Sequence, residues 1–162
     1  MFKKITIAAI LLISIASCSS KKDAFNYSQD FVKKETSLLN DITSTEDNVR
    51  RYIAVEQYDS IAAAGERMEK LVDVKLEEVK KAPAPDVKEG DNFKEACIKY
   101  FGFIKSMYTG YKEFGRAATD PEREKARSKI IELADTKQAA ITAMQTAQKK
   151  FADANGFRLE KQ

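Results

Sequence analysis

Histidine and tryptophan are absent from this chain of 162 residues, which also has only two cysteines, three prolines and six glycines. Without an imidazole, the sequence excludes a Ser-His or Cys-His nucleophile, a zinc site with histidine ligands and a Glu-x-x-His di-iron site. An enzyme made from this chain has to use Asp, Glu, Lys, Tyr or Arg. We therefore expect a protein that is not an enzyme and that holds neither a metal ion nor another cofactor.

The N-terminus has the pattern of a secretory signal. Lys3 and Lys4 precede an apolar run over residues 5–15. This run of eleven residues is shorter than the roughly 20 residues that a membrane-spanning helix needs. A positive start followed by a short apolar run is typical of a signal peptide, and we interpret the segment as one rather than as a membrane-spanning anchor.

The apolar run ends in the segment Ile15-Ala16-Ser17-Cys18, which resembles the lipobox of bacterial lipoproteins. In that motif an aliphatic residue and two small residues precede the Cys that receives diacylglycerol, and signal peptidase II cuts in front of this Cys. The resemblance predicts a lipoprotein signal peptide over residues 1–17, followed by a lipidated Cys18 and a polar tether over residues 18–23. The alternative is an ordinary cleavage site with a cysteine beside it.

Removal of the signal leaves a protein that is almost neutral. The loss of Lys3 and Lys4 leaves 26 Lys plus Arg against 25 Asp plus Glu. Such a balance is no electrostatic footprint for nucleic acid, and we expect no nucleic-acid partner. Because Cys18 carries lipid, Cys97 is left as the lone free thiol, and no intramolecular disulfide is expected.

Residues 24–162 contain four segments in which apolar residues recur every three or four positions, as in amphipathic helices. The first segment covers about residues 25–42. The polar residues 43–48 interrupt the helix and provide an N-cap for the second segment, which runs to about residue 81.

The remaining boundaries carry turn and cap signals. A linker over residues 82–90 contains two prolines, which end the second helix because proline lacks the backbone N–H that a helix needs. The third segment starts at residues 92–95 (Asn-Phe-Lys-Glu), which resemble a capping box. The fourth opens at residues 119–122, with a cap candidate, a proline at the first helical position and an acidic first turn. Asn155-Gly156 has the pattern of a left-handed C-cap, after which Phe157 and Leu159 are expected to fold back on the bundle end.

No segment alternates at the period of a strand, so we predict an all-α fold. Four helices with short connections favour an antiparallel up-down four-helix bundle over residues 24–162. The alternative is one long helix through Asn48, which makes a three-helix hairpin with a bend. The polar residues 43–48 favour the four-helix bundle over this alternative.

The third helix is rich in aromatic residues, and two explanations fit them. They are Tyr100, Phe101, Phe103, Tyr108, Tyr111 and Phe114. Most occupy one stripe and predict an aromatic core, in which Cys97 packs as a small buried residue. The alternative is an apolar ligand pocket. Its candidate ligand-facing residues are Phe103, which lies beside the stripe, and Tyr111, which offers a hydroxyl.

Several short segments together resemble uncharacterised helical lipoproteins and surface proteins of Bacteroidetes and spirochaetes. They are Asn26-Tyr27, Glu89-Gly90-Asp91-Asn92-Phe93, Tyr100-Phe101-Gly102-Phe103, Ala147-Gln148-Lys149-Lys150-Phe151-Ala152 and Asn155-Gly156-Phe157. The resemblance implies a lipid-anchored helical envelope protein without an assigned activity, so no catalytic residue is carried over. An acidic run after the Cys resembles a surface-export signal in such proteins. The segment Ser19-Ser20-Lys21-Lys22 is not acidic, which implies the periplasmic face of the outer membrane.

Two classes of function follow from these observations. We expect a non-enzymatic binding or adaptor module that its lipid holds at the outer membrane and that contacts an envelope protein. The alternatives are an apolar small-ligand carrier and a small carboxylate-based hydrolase. An enzyme requires a pocket with convergent ionisable groups of shifted pKa, whereas an adaptor requires only an exposed apolar or charged patch.

Overall fold

The structure is a computed structural model that describes the backbone of residues 8–159 and the side chains of residues 20–159. Over that part of the chain it contains helices, turns and one longer connection, and no strand. The helices are α1 (Ala8–Thr36), α2 (Leu39–Ala54), α3 (Tyr58–Lys81), α4 (Gly90–Arg116) and α5 (Asp120–Ala154). The prediction of an all-α fold is therefore confirmed.

A bend, rather than a loop, joins α1 to α2. Thr36 Oγ1 donates a hydrogen bond to the carbonyl of Val32 at 2.7 Å, and Ser37 Oγ donates to the carbonyl of Lys34 at 2.7 Å. Hydroxyls that bond back to the preceding turn compete with the helical hydrogen bonds and bend a helix. Leu38 keeps right-handed helical dihedral angles, and its carbonyl accepts from the N–H of Ile42 at 2.8 Å.

The predicted helix break at residues 43–48 is wrong, since these residues lie inside α2. Their polar side chains have partners on other helices and are not needed as caps. Thr45 is buried and accepts a hydrogen bond from Arg67 Nη2 at 3.2 Å, while Glu46 accepts one from the Tyr111 hydroxyl at 2.9 Å. Tertiary contacts therefore keep a polar stretch helical.

Helix α2 ends instead at Ala54, with Val55 as its C-cap, in a turn that the sequence did not predict. The N–H of Gln57 donates to the carbonyl of Tyr52 at 2.9 Å, and the N–H of Glu56 donates to that of Ile53 at 3.2 Å. These two bonds define a Schellman motif, whose left-handed position is held by Glu56 at φ 55°. Glycine usually occupies this position, so the sequence carries no signal for the turn.

Helices α3 and α4 approach closely at two glycines. A Cβ atom on Gly65 would lie 2.6 Å from the backbone nitrogen of Lys112, and one on Gly115 would lie 2.4 Å from that of Ala62. Side-chain pairs extend this contact along both helices, from Glu66 with Arg116 to Asp73 with Lys105, at 2.8 Å and 2.6 Å. The small residues of α3 therefore face the α4 backbone.

The aromatic stripe of α4 lies in the core, as predicted. The ring of Phe31 lies 5.6 Å from the rings of both Phe93 and Phe101, and Phe151 stacks on Phe93 at 4.9 Å. Cys97 belongs to the same cluster and is buried, which confirms its predicted environment. A second cluster of Val49, Ile61, Phe114 and Ala126 fills the other end of the bundle.

The predicted capping box at residues 92–95 is wrong, whereas the predicted start of α5 is confirmed. Helix α4 begins two residues earlier, at Gly90, and the Asn92 amide donates to the Glu89 carboxylate at 2.8 Å. A Cβ atom at Gly90 would lie 2.3 Å from the Pro85 carbonyl oxygen, so the linker packs on the glycine. At α5, Thr119 Oγ1 accepts from the N–H of Glu122. The proline there is the second helical residue.

The predicted C-terminal cap is also confirmed. Gly156 has φ 69°, and the N–H of Phe157 donates to the carbonyl of Ala152 at 3.1 Å. Phe157 is buried and packs edge-on against Phe151. Phe157 therefore folds back on the bundle end, as expected, whereas Leu159 is 36% exposed.

Candidate binding groove

Helices α1 and α5 meet at one end of the bundle and then separate. At that end the rings of Phe25 and Phe157 lie 5.7 Å apart, and the Gln148 amide donates to the buried Ser28 hydroxyl at 3.2 Å. Beyond this point the chain bends at residues 37–38, and α2 packs on α3. A groove therefore opens between α1 and α5.

This groove has a volume of about 820 Å³. Side chains of α1 and α5 form its walls, and side chains of α4 and α5 form its floor. The wall residues are Gln29, Val32, Glu35, Ile141, Gln145 and Gln148, and the floor residues are Tyr100 and Met144. The lining is completed by Lys149, Ala152, Asp153, Phe157, Arg158 and Leu159. It thus combines apolar side chains with amides and charged groups, which suits a ligand that is apolar in its centre and polar at its edges.

A hydrogen bond between Tyr100 and Glu35 organises the floor. The Tyr100 hydroxyl donates to Glu35 Oε1 at 2.6 Å. Burial of Tyr100, together with the hydrogen bond and the negative charge of Glu35, raises the pKa of the phenol, so Tyr100 stays protonated at neutral pH. Glu35, which interrupts the apolar stripe of α1 in the sequence, is therefore the acceptor for a tyrosine of α4.

A second, smaller cleft of about 370 Å³ lies between α4 and α5. It shares Tyr100 and Met144 with the groove, and its other apolar residues are Ala96, Ala140 and Ala143. Short side chains leave space between the two helices here. Between residues 127 and 143, all of which the structure describes, no side chain is buried. The middle of α5 is therefore the least covered part of the bundle.

The site residues that the sequence predicted lie elsewhere. Phe103 is half-buried on α4, and Tyr111 is half-buried between the two core clusters, with its ring 5.9 Å from that of Tyr108. Neither residue lines the groove or the cleft. Cys18 falls within α1, but its side chain lies outside the described residues. The structure thus brings neither Phe103 nor Tyr111 to the groove.

Of the groove residues, Tyr100 was named in the sequence, as one of the aromatic residues of the third helix, whereas the wall residues were not predicted to line a site. Ile141 has the spacing of a core position, and this spacing is the same whether one helix or two helices pack beside it. The glutamines at positions 29, 145 and 148 have no motif that distinguishes them from solvated helix residues. Only the tertiary arrangement reveals that they share one groove.

Charged residues at the opposite end of the bundle are held in pairs between helices. Glu69 accepts hydrogen bonds from Thr109 and Lys112, and Lys129 pairs with Glu113 at 2.9 Å. Burial acts to raise the pKa of the Glu69 carboxyl, but these hydrogen bonds and the charge of Lys112 outweigh it and lower the pKa. These charges support the packing of the helices.

Two absences hold for the part of the chain that the structure describes. Among those residues, no group of three or more Cys, Asp or Glu side chains is placed to hold a metal ion. None of the described helices combines the length and the apolar character needed to cross a bilayer.

No family model, no curated protein and no solved structure matches this chain. The groove between α1 and α5, with its mixture of apolar, amide and charged side chains, is the candidate binding site.

Proposed function

We propose that this chain is a lipid-anchored envelope protein that acts as a non-enzymatic binding module on an antiparallel bundle. The segment Ile15-Ala16-Ser17-Cys18 supports lipidation at Cys18, and the non-acidic residues that follow favour the periplasmic face of the outer membrane. Helix contacts in reverse order support the antiparallel arrangement, since Glu66 of α3 pairs with Arg116 and Asp73 pairs with Lys105. The likeness to helical lipoproteins of Bacteroidetes and spirochaetes is part of the same proposal.

The open groove is the observation that carries the binding function. Val32 and Ile141 offer apolar contacts, and Gln29 and Gln145 offer hydrogen bonds at the edge. An amphipathic helix of a partner needs this combination, because it inserts its apolar face and leaves polar side chains at the rim. We therefore expect the groove to bind an amphipathic helix of an envelope protein.

Site-specific photocrosslinking in intact cells tests this function. A photoreactive amino acid at Ile141 should give a discrete protein adduct, whereas one at Val74, an exposed apolar residue of α3, should not. Replacing Val32 with Glu should reduce the adduct at position 141, because a charged wall opposes an apolar helix face. Equal labelling at both positions, or an adduct that survives the Val32→Glu change undiminished, contradicts the groove as the binding site.

Lipidation is tested separately with the two cysteines of the chain. Cys18→Ala should abolish incorporation of a fatty-acid label and release the protein from the membrane fraction, because two or more acyl chains anchor stably. Cys97→Ala is the matched control and should keep both label and location, since Cys97 is a buried thiol in α4. Retention of the label in Cys18→Ala contradicts the lipoprotein assignment.

A second candidate function, an apolar small-ligand carrier, is favoured by the volume of the groove. About 820 Å³ falls within the range of roughly 300 to 1,000 Å³ that is usual for small-molecule sites. A fluorescent fatty acid is a suitable probe. Loss of its binding in Ile141→Glu favours the groove, whereas loss in Phe103→Ala or Tyr111→Ala favours the site predicted from the sequence. Absence of any binding contradicts the carrier function.

A further inference from the structure

An exposed surface of mixed aromatic, aliphatic and basic character lies at the end of the bundle where α1 and α5 meet. We call it the basal surface and define it by Lys21, Lys22, Phe25, Arg158 and Leu159. Phe25 is 41% exposed and Leu159 is 36% exposed, although both flank the buried ring of Phe157. Large apolar side chains therefore face solvent next to basic ones.

The basic residues of this surface differ from most other lysines and arginines of the bundle. Lys21, Lys22 and Arg158 are exposed and have no carboxylate partner among the residues that the structure describes. Of the nearby carboxylates, Asp153 is held by Lys149 at 2.5 Å, which leaves Asp23 as the exposed acid beside the lysines. The basal surface therefore carries net positive charge.

The position of the basal surface relative to Cys18 determines how close this surface lies to the membrane. The backbone of α1 is continuous from Ala8 to Thr36, and Cys18 precedes Phe25 by seven residues. At a rise of 1.5 Å per residue this separation is about 10 Å along the helix. A lipid on Cys18 would therefore hold the basal surface within about 10 Å of the headgroups, and interfacial side chains insert to about 5 to 10 Å.

We infer that the basal surface binds directly to an anionic phospholipid surface and fixes the orientation of the bundle on it. This inference rests on the proposed anchor at Cys18. Lys21, Lys22 and Arg158 contact lipid phosphates, because basic side chains close to an anionic leaflet are attracted to it. Phe25 and Leu159 enter the headgroup region, as aromatic and aliphatic side chains do in interfacial anchors. Arg158 and Leu159 also line the groove between α1 and α5, so the lipid surface borders one end of that groove.

Tryptophan fluorescence tests this orientation cleanly, because the natural chain contains no tryptophan. Two variants of the lipidated protein, Phe25→Trp and Val55→Trp, are reconstituted into vesicles of phosphatidylglycerol and phosphatidylcholine that contain brominated lipid. Val55 is exposed at the turn after α2, at the opposite end of the bundle. We expect strong quenching and a blue shift at position 25, and the emission of a solvated indole at position 55. Equal quenching at the two positions overturns the inference.

Charge variants test the role of the basic residues. In the Phe25→Trp protein, Lys21→Gln, Lys22→Gln and Arg158→Gln together should reduce quenching to the level found in vesicles of phosphatidylcholine alone. The control changes Lys125→Gln and Lys137→Gln, exposed residues of α5 away from the basal surface, should leave quenching unchanged. Quenching that is the same in both kinds of vesicle, or that falls equally in the control, overturns the proposed attraction to anionic lipid.

Fatty-acid labelling of the same samples distinguishes a failure of this inference from a failure of the proposed anchor. Labelled protein without quenching at position 25 overturns the orientation and leaves the anchor intact. Unlabelled protein contradicts the anchor, and quenching at position 25 on addition of vesicles then still decides whether the basal surface binds lipid.

Discussion

Apolar residues recur at helical spacing in both α4 and α5, more weakly in α5, and the two helices are covered to very different extents. The rings of α4 contact α1 through Phe31 and α5 through Phe151, and its Gly115 contacts α3. In contrast, no side chain of α5 between residues 127 and 143 is buried. Local signals hold the ends of α5 instead, with a capping box at Thr119 and a left-handed turn at Gly156.

This difference teaches that apolar spacing identifies the face of a helix that packs, but not how many neighbours cover that face. The bend after α1 carries α2 toward α3 and leaves α5 beside one helix for much of its length. The candidate groove lies along the part of α5 that has fewer neighbouring helices.

Truncation of a core side chain should give the largest difference in stability between variants of α4 and variants of α5. Phe101 of α4 is fully buried, and Phe101→Ala should lower the free energy of unfolding by about 3 to 5 kcal/mol, because it removes apolar contacts and leaves a cavity. Ile131 of α5 is 53% exposed, and Ile131→Ala should change the free energy of unfolding by no more than about 0.5 kcal/mol. Denaturant unfolding measures both values. Similar losses in the two variants would show that α5 is as tightly packed as α4.

Alanine substitutions at two glycines of α4 test whether the burial of this helix depends on close contact with α3. Gly115→Ala should destabilise the protein by about 1 to 3 kcal/mol, because the new Cβ atom would lie 2.4 Å from the nitrogen of Ala62 and force the helices apart. No atom lies within 4 Å of the Cβ position at Gly102. Gly102→Ala should therefore stabilise the helix by about 0.5 to 1 kcal/mol. Thermal melts of the two variants should shift in opposite directions, and a shared direction refutes the close contact.

The helix starts test the dependence of α5 on local signals. Thr119→Ala removes the hydroxyl that accepts from the N–H of Glu122 and should cost about 1 kcal/mol. Asn92→Ala alters a residue inside α4, not a cap, and should cost less than about 0.5 kcal/mol. Urea titrations give both values. A larger loss at Asn92 than at Thr119 would restore the capping box that the sequence predicts for α4.

Thiol reactivity gives the last comparison, with little effect on stability. Burial, together with the charge of Glu35, raises the pKa of the Cys97 thiol well above its usual range. In a Cys18→Ser background, Cys97 should react with a maleimide at neutral pH only after denaturant is added. The additional thiol of an Ile131→Cys variant should react at once under native conditions. Rapid modification of Cys97 in the folded protein contradicts its place in the core.

The helix boundaries divide into those with a local signal and those without one. Thr119, Glu122 and Gly156 act within their own turns, so their residue types predict the ends of α5. Glu56 adopts a left-handed conformation that its residue type disfavours, and no local pattern predicts it. Likewise, the polar residues around Thr45 resemble a break until Arg67 is placed beside them. The first kind of boundary depends on neighbours in sequence, and the second on neighbours in space.

The candidate groove, like the second kind of boundary, depends on neighbours in space. Periodicity identifies Ile141 as an apolar position of α5 and Val32 as one of α1, and composition identifies the chain as helical and free of histidine chemistry. These properties depend on residue type and spacing alone. The bend at residues 36–38 decides that the apolar positions of α1 and α5 face a shared opening rather than each other. A small change of direction in one helix alters contacts many residues away. The spacing of apolar residues along the chain does not indicate that direction.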